Sequence, residues 1–274
     1  MKREQVDLHM HTVASDGTQT PEELLKEVVD KDIKVFAITD HDSVDSIDAM
    51  CELAKATDRV FLPGVEISTT YKEKEFHLLT YGVDTQNPVL QEILKDNQKV
   101  REAFNIKIIE HIQQKNHSVS VEEYLEYQRD PSWGGWKAEN YLREIGAIHH
   151  LGDLFGMLHD MEEQMTFQSP ATIIPQLKSM GVKIVLAHPP AYYGGDPLSM
   201  DMLDHFRKLG VDGIECFSPY YKEEIQSAYY VDYCKAYDLM ISCGSDYHGA
   251  FIKTRHMGHP NKSIDELMIH PLLK

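Results

Sequence analysis

The chain has 274 residues and a formal net charge of −17, from 27 basic and 44 acidic side chains. So large an acidic surplus argues against a broad groove for long duplex nucleic acid, whose affinity comes largely from neutralising phosphates. At 42% hydrophobic residues it can bury a full core, but it has no apolar run long enough to span a membrane, no signal-peptide core after Met1, and four scattered cysteines without a CxxC pair. A cytoplasmic protein with reduced thiols is expected.

The first strand signal, Val6-Asp7-Leu8, runs into His9-Met10-His11, and Asp16-Gly17 follows in a turn. Strand side chains alternate with period two, so His9 and His11 project from one face and can grip one ion. An isolated pair of this kind is more often two solvated histidines than a metal site. Thr20-Pro21-Glu22-Glu23 reads as an N-cap, a proline at N1 and an acidic first turn, with Leu24, Leu25, Val28 and Val29 on one face of the helix. Ile33 to Thr39 is a nearly continuous apolar run, as in a strand buried on both faces, and ends in Asp40-His41-Asp42. A helix over about Ser46 to Thr57 leads to a strand, Val60 to Ser68, that carries Glu66. After a polar turn, Phe76 to Gly82 returns as its hairpin partner and carries His77.

From about Pro88 to Phe167 the strand–helix rhythm gives way to helical patterns, over Pro88 to Lys115, Val121 to Gln128 and onward from Lys137. The turn Pro131 to Trp136 interrupts them. Strand signals resume directly afterwards, so residues 88–167 read as an α-helical insertion between barrel segments 1–87 and 168–274. A helix from Ala171 to Met180 precedes the strand Val182 to Ala187, which ends in His188. Helix Leu198 to Leu209, strand Gly213 to Phe217, a helix from about Lys222 to Tyr237 and strand Met240 to Cys243 follow. The last strand ends in Gly244-Ser245-Asp246-Tyr247-His248-Gly249.

This alternation implies an α/β fold with a parallel, barrel-like sheet, in which reactive residues gather at the C-terminal strand ends. His9, His11, Asp40, His41, Glu66, His188, Asp246 and His248 all fall at such ends. Histidines placed for packing or solubility alone would not share this bias. The motifs therefore reinforce one another.

Taken together, HMH with Asp16, TDHD, GVEIS, FHLL, AHP and GSDYHG resemble, in order, the motifs of the PHP family (polymerase and histidinol phosphatase domains). The likeness is greatest to its stand-alone phosphoesterase branch with a helical insertion. It implies a distorted seven-stranded (β/α) barrel and up to three divalent metal ions (Mn, Fe or Zn). One ion would be held by His9, His11, Glu66 and Asp246; a second by Glu66 as a bridge with His77 and His188; a third by Asp16, His41 and His248. Some members have His at the position of Asp16, and the carboxylate favours harder ions such as Mn²⁺ or Fe²⁺. Three such ions outweigh the three carboxylates and would draw a phosphate despite the acidic exterior.

The implied activity is hydrolysis of small phosphorylated substrates by metal-activated hydroxide. Nucleoside bisphosphates and the 5′ ends of short oligonucleotides are favoured, with no long duplex and no membrane as partner. Histidinol phosphate hydrolysis, amide or ester hydrolysis and a non-catalytic, metal-stabilised module are the alternatives. Asp40, beside a ligand, either orients an imidazole or shuttles a proton, and is counted with His248 as catalytic. Lys137 and Arg255 are candidate phosphate contacts, with Trp133 and Trp136 as pocket walls. Glu215 is expected to hydrogen-bond within the barrel mouth, Tyr192 and Tyr193 to lie near substrate, and the tyrosines from Tyr220 to Tyr233 to pack.

Overall fold

The computed structural model describes residues 4–221 and 223–273. Strands β1 (Gln5–Asp7), β2 (Ile33–Ile38) and β3 (Val60–Tyr71) pair in parallel. They alternate with helices α1 (Pro21–Asp30) and α2 (Ile47–Ala54). Thr20 and Glu23 close a reciprocal capping box that fixes the start of α1, as its sequence predicts. β4 (Lys74–Tyr81) runs antiparallel between β3 and β5 (Lys183–Leu186), and β6 (Gly213–Phe217) and β7 (Met240–Cys243) return to parallel pairing. Helices α7 (Pro170–Ser179), α8 (Met200–Leu209) and α9 (Glu224–Ala236) separate these later elements. The expected start of the last helix at Lys222 lies outside the described residues.

The sheet has eight strands rather than seven, because the two-residue β8 (Lys262–Ser263) adds antiparallel to β1 at Gln5 and Val6. Its short span leaves the other half of the first strand free to meet the last. Leu8 N–H donates to the Cys243 carbonyl at 3.1 Å and His11 N–H to the Tyr247 carbonyl at 2.8 Å, which nearly closes the barrel at its mouth. β1 ends sooner than the sequence pattern suggests, yet these bonds keep His9 and His11 facing the same interior space, with rings 5.1 Å apart.

The reversed direction of β4 decides the position of His77. It lies near the start of this strand, so it reaches the mouth beside Ala187, whose N–H it accepts at 3.1 Å. Inside, one apolar cluster joins Leu8, Phe36, Ile38, Val65, Leu78 and Ile184, with Leu90, Ile93 and Leu94 from the first turns of α3 (Pro88–Gln113). A second cluster belongs to the helical segment. Ile108, Ile109 and Ile112 from the end of α3 pack on Tyr124 of α4 (Val121–Glu126), Tyr141 and Leu142 of α5 (Lys137–Glu144), and Leu154 of α6 (Leu151–Met157). None of the described helices is long and apolar enough to cross a membrane.

The second cluster must be held by its own apolar contacts. Ile109 is fully buried there, so Ile109→Ala should cost about 3 kcal/mol. Urea denaturation followed by circular dichroism reads this directly; a loss below about 1 kcal/mol would mean that the helical segment adds nothing to cooperative stability.

Candidate metal centre

Glu66 projects from the middle of β3, level with His41, to which it is joined by a parallel backbone bridge. Its carboxylate has no solvent exposure, and five imidazoles surround it. On Oε2, the nearest nitrogens of His9, His11 and His41 lie at 3.1, 3.3 and 3.2 Å. On Oε1, His77 Nδ1 lies at 2.9 Å and His188 Nε2 at 3.1 Å. Asp246 Oδ1 is 3.3 Å from His9 Nε2 and 3.1 Å from His11 Nε2. Asp16 lies 3.3 Å from His248 Nε2, 3.6 Å from His11 Nδ1 and 3.9 Å from His41 Nε2.

These donors fall into three groups of metal-binding size: His9, His11, Glu66 and Asp246; His11, Asp16, His41 and His248; and His41, Glu66 and His77. His188 sits beside the third, with its Nε2 3.3 Å from His77 Nδ1. Ligands about 2.0–2.1 Å from a tetrahedral ion lie about 3.3 Å from one another, so the spacing suits divalent ions. The nine residues expected as ligands are therefore together. His41 differs from expectation in facing two groups, with Nδ1 towards Glu66 and Nε2 towards Asp16.

Outer contacts turn the imidazoles inward. Glu215 takes His9 Nδ1 at 3.1 Å and the His188 N–H at 2.7 Å. Glu75 takes His77 Nε2 at 2.9 Å, and the Asp246 carbonyl takes His248 Nδ1 at 2.7 Å. Each of these rings presents its other nitrogen to the cluster. Two residues of the cluster also sit in strained backbone, His188 at φ 24° and Asp246 at φ 50°. Gly244 makes room for the arrangement: a Cβ there would lie 2.2 Å from His9 Cβ and 2.6 Å from Glu215 Oε1.

The protonation pattern follows from crowding. Burial pushes Glu66, Asp246 and Asp16 upward, but the neighbouring histidines outweigh it and hold all three well below the usual carboxylate range. Burial opposes charge on His9, His77 and His248 as well. Adjacent carboxylates nevertheless raise His9 well above its ordinary value, His77 to about 10 and His248 to about 9. Burial dominates at His41, pushing it down to about 3. Three carboxylates are thus ionised beside imidazoles whose affinity for protons they raise, a cluster whose buried negative charge calls for cations.

The remaining expected site residues divide. Asp40 accepts Thr12 N–H, Thr12 Oγ1–H and Ser15 Oγ–H at 2.7, 2.6 and 2.6 Å. These bonds fix the turn leading to Asp16, so that Asp40 meets no imidazole directly and is linked to His11 Nδ1 only through Ser15 Oγ, at 3.5 Å. Lys137 is corrected: its ammonium donates to the Leu125 carbonyl at 3.3 Å and lies over the Tyr124 ring, within the helical segment. Trp136 reaches the site, its ring centroid 5.9 Å from that of His41, whereas Trp133 is partly exposed. Arg255 Nε lies 3.7 Å from Asp246 Oδ2, with its guanidinium over Tyr220. Tyr220 donates to the same Asp246 oxygen at 2.8 Å, so it belongs to the site as well as to packing. Tyr192 is engaged with the backbone of His77 and Ala187.

Two contributors escaped the sequence reading. Glu75 shares a strand face with His77 at a spacing of two, a usable signal. Arg101 on α3 carried none: it bonds Asp42 and Ser68 and stacks on Trp136 at 4.1 Å.

The family described as PHP domain matches residues 7–164, more than half of the chain. The chain belongs to the PHP domain family. His188, Asp246 and His248 of this PHP chain lie beyond the matched segment, and the barrel brings them back to it. A 5′-3′ exoribonuclease of Haemophilus influenzae is 26% identical over 258 residues, covering 88% of the chain and 89% of the relative. A phosphoribosyl 1,2-cyclic phosphate 1,2-diphosphodiesterase of Eggerthella lenta is 26% identical, with 92% and 97% coverage. A 3′,5′-nucleoside bisphosphate phosphatase of Chromobacterium violaceum is 23% identical, with 93% and 90% coverage. Among solved structures, one from Bifidobacterium adolescentis, described as that of a putative metal-dependent phosphoesterase, superposes on the PHP chain with a TM-score of 0.82 at 23% identity, covering 98% of this chain and 95% of that one.

If Glu215 sets the orientation of His9, Glu215→Gln should weaken divalent-metal binding about ten- to hundredfold. Chelator competition on folded protein measures it, and unchanged affinity would leave Glu215 without that role.

Proposed function

We propose that the chain is a metal-dependent phosphoesterase acting on nucleotides, with nucleoside bisphosphates and the 5′ ends of short oligonucleotides as its substrates. The carrying observation is the Glu66 carboxylate shared among five imidazoles, with Asp16 and Asp246 on either side. His9, His11, Glu66 and Asp246 would hold one ion; Glu66, His77 and His188 a second; and Asp16, His41 and His248 a third. Mn, Fe or Zn suits this mixed nitrogen and oxygen set. When bound, such ions polarise a phosphate and lower the pKa of water, so that no protein nucleophile is required.

The chain's own residues supply placement. Asp40 positions the Asp16 turn, and Glu215 and Glu75 aim His9 and His77. His248 has its Nδ1 held by the Asp246 carbonyl and presents Nε2 to Asp16, as a ligand of the third ion would. Trp136 offers an aromatic face at the mouth, and Arg255 a cation beside Asp246 for a phosphate oxygen. The names of the relatives, all hydrolases of phosphate esters in nucleotides or ribose phosphates, support this substrate class. The acidic exterior speaks against long duplexes, and the free cysteines suit a reducing cytoplasm.

Turnover of a nucleoside 3′,5′-bisphosphate, a 5′-phosphorylated oligonucleotide, a ribose cyclic phosphate and a simple amide, each with Mn²⁺, tests the reading. Glu66→Gln should lower phosphoester hydrolysis by about a thousandfold or more. His150→Ala, at an exposed helix start, and Lys137→Ala should leave kcat and KM unchanged. Amide hydrolysis without phosphoester hydrolysis, or equal losses in Glu66→Gln and His150→Ala, would overturn it.

A further inference from the structure

A groove of about 850 Å³ lies between α1 and the loop after β7. Its upper end is framed by Thr18, two residues beyond Asp16, and Gly249, next to His248. Arg255 joins the two spaces: its guanidinium lies beside Asp246 and Tyr220 and also lines the groove. Its Nε is buried without a hydrogen-bond partner among the described residues.

The wall chemistry departs from that of the chain as a whole. Although the net charge is −17, the groove presents Lys26, Lys31, Lys253 and Arg255 against Glu23, Glu27 and Asp30. Lys26 pairs with Asp30 and Lys31 with Glu27, while Glu23 takes the Thr20 N–H and Glu27 also binds Gln19 and Tyr247, so Lys253 and Arg255 are the cations the groove leaves for a ligand. Lys253 has no acidic partner among the described residues. Tyr247 adds an aromatic ring to the same wall. Two cations beside an aromatic side chain are the chemistry that holds single-stranded nucleic acid. From Glu23 to Lys31 the helix rises about 12 Å, enough for about three stacked nucleotides.

We propose that this groove receives the nucleotides following the hydrolysed 5′ phosphate in a short single strand, with Arg255 contacting the first phosphate after it and Lys253 the next, which a nucleoside bisphosphate lacks. The inference rests on the phosphoesterase reading of the metal centre and adds a path for the rest of the substrate. It explains how an acidic protein engages an oligonucleotide without a broad basic surface.

The test compares wild type, Lys253→Glu and a matched charge change outside the groove, Lys107→Glu on exposed α3. The probes are a nucleoside 3′,5′-bisphosphate and a 5′-phosphorylated RNA pentanucleotide carrying 3′-fluorescein, with Mn²⁺. Lys253→Glu should raise KM for the pentanucleotide about tenfold, weaken its binding by anisotropy to the same degree and reduce the salt dependence of binding. Its kinetics on the bisphosphate should match wild type, as should Lys107→Glu on both substrates. Equal pentanucleotide binding by Lys253→Glu and wild type would overturn the groove, as would a wild type that hydrolyses the bisphosphate but neither binds nor cleaves the pentanucleotide. Failure to hydrolyse either substrate would strike the metal-centre reading itself, while anisotropy would still decide the groove.

Discussion

A fully buried carboxylate encircled by imidazoles is the constraint on which this molecule turns. An ionised Glu66 in the barrel interior is tolerable only with positive charge around it. Five histidines from the segments after β1, β2 and β5 and from β4 supply the surrounding nitrogens. Asp16 and Asp246 raise the local negative charge further. The inward nitrogens meet only the cluster's own carboxylates and imidazoles, and His41 Nδ1 is buried without a hydrogen-bond partner among the described residues, an arrangement that cations at their centres would satisfy. The strained backbone at His188 and Asp246, and the close approach that Gly244 permits, are part of the cost of bringing them together.

The same end of the barrel anchors the helical segment. Asp42, just past His41, accepts the Ser68 N–H at 3.0 Å, Asn97 Nδ2 at 2.7 Å and Arg101 at 3.1 Å. Arg101 in turn stacks on Trp136, whose ring faces His41. A chain of charge and ring contacts thus runs from a ligand-bearing turn into α3 and back to the mouth. α3 carries both the barrel-core residues Leu90 and Ile93 and the Ile108–Ile112 face of the second cluster, so the helical segment is tied to the barrel at two levels.

Much of this was legible in the residues. Period two placed His9 and His11 on one face, and the repeated appearance of His, Asp and Glu at strand ends required a barrel that collects those ends. The eighth strand was not legible, since two residues after a long loop carry no periodic signal. Adjacency in sequence says nothing about where a carboxylate points, and Asp40 turns to Thr12 and Ser15 rather than to the neighbouring His41. Lys137 misled for a similar reason, as its helix turns it towards Leu125 and Tyr124 while the neighbouring Trp136 faces the mouth. Arg101 could not be found because its partners, Asp42, Ser68 and Trp136, meet only in three dimensions.

The central claim is that Glu66 joins neighbouring ions in one centre. Elemental analysis by plasma mass spectrometry, on folded wild type and Glu66→Gln after Mn²⁺ loading and removal of free metal, tests it most directly. About three ions per chain are predicted for wild type, with at least one lost in Glu66→Gln while the fold, checked by circular dichroism, is kept. A wild-type content of one ion or fewer, or the same content in both proteins, would contradict the account.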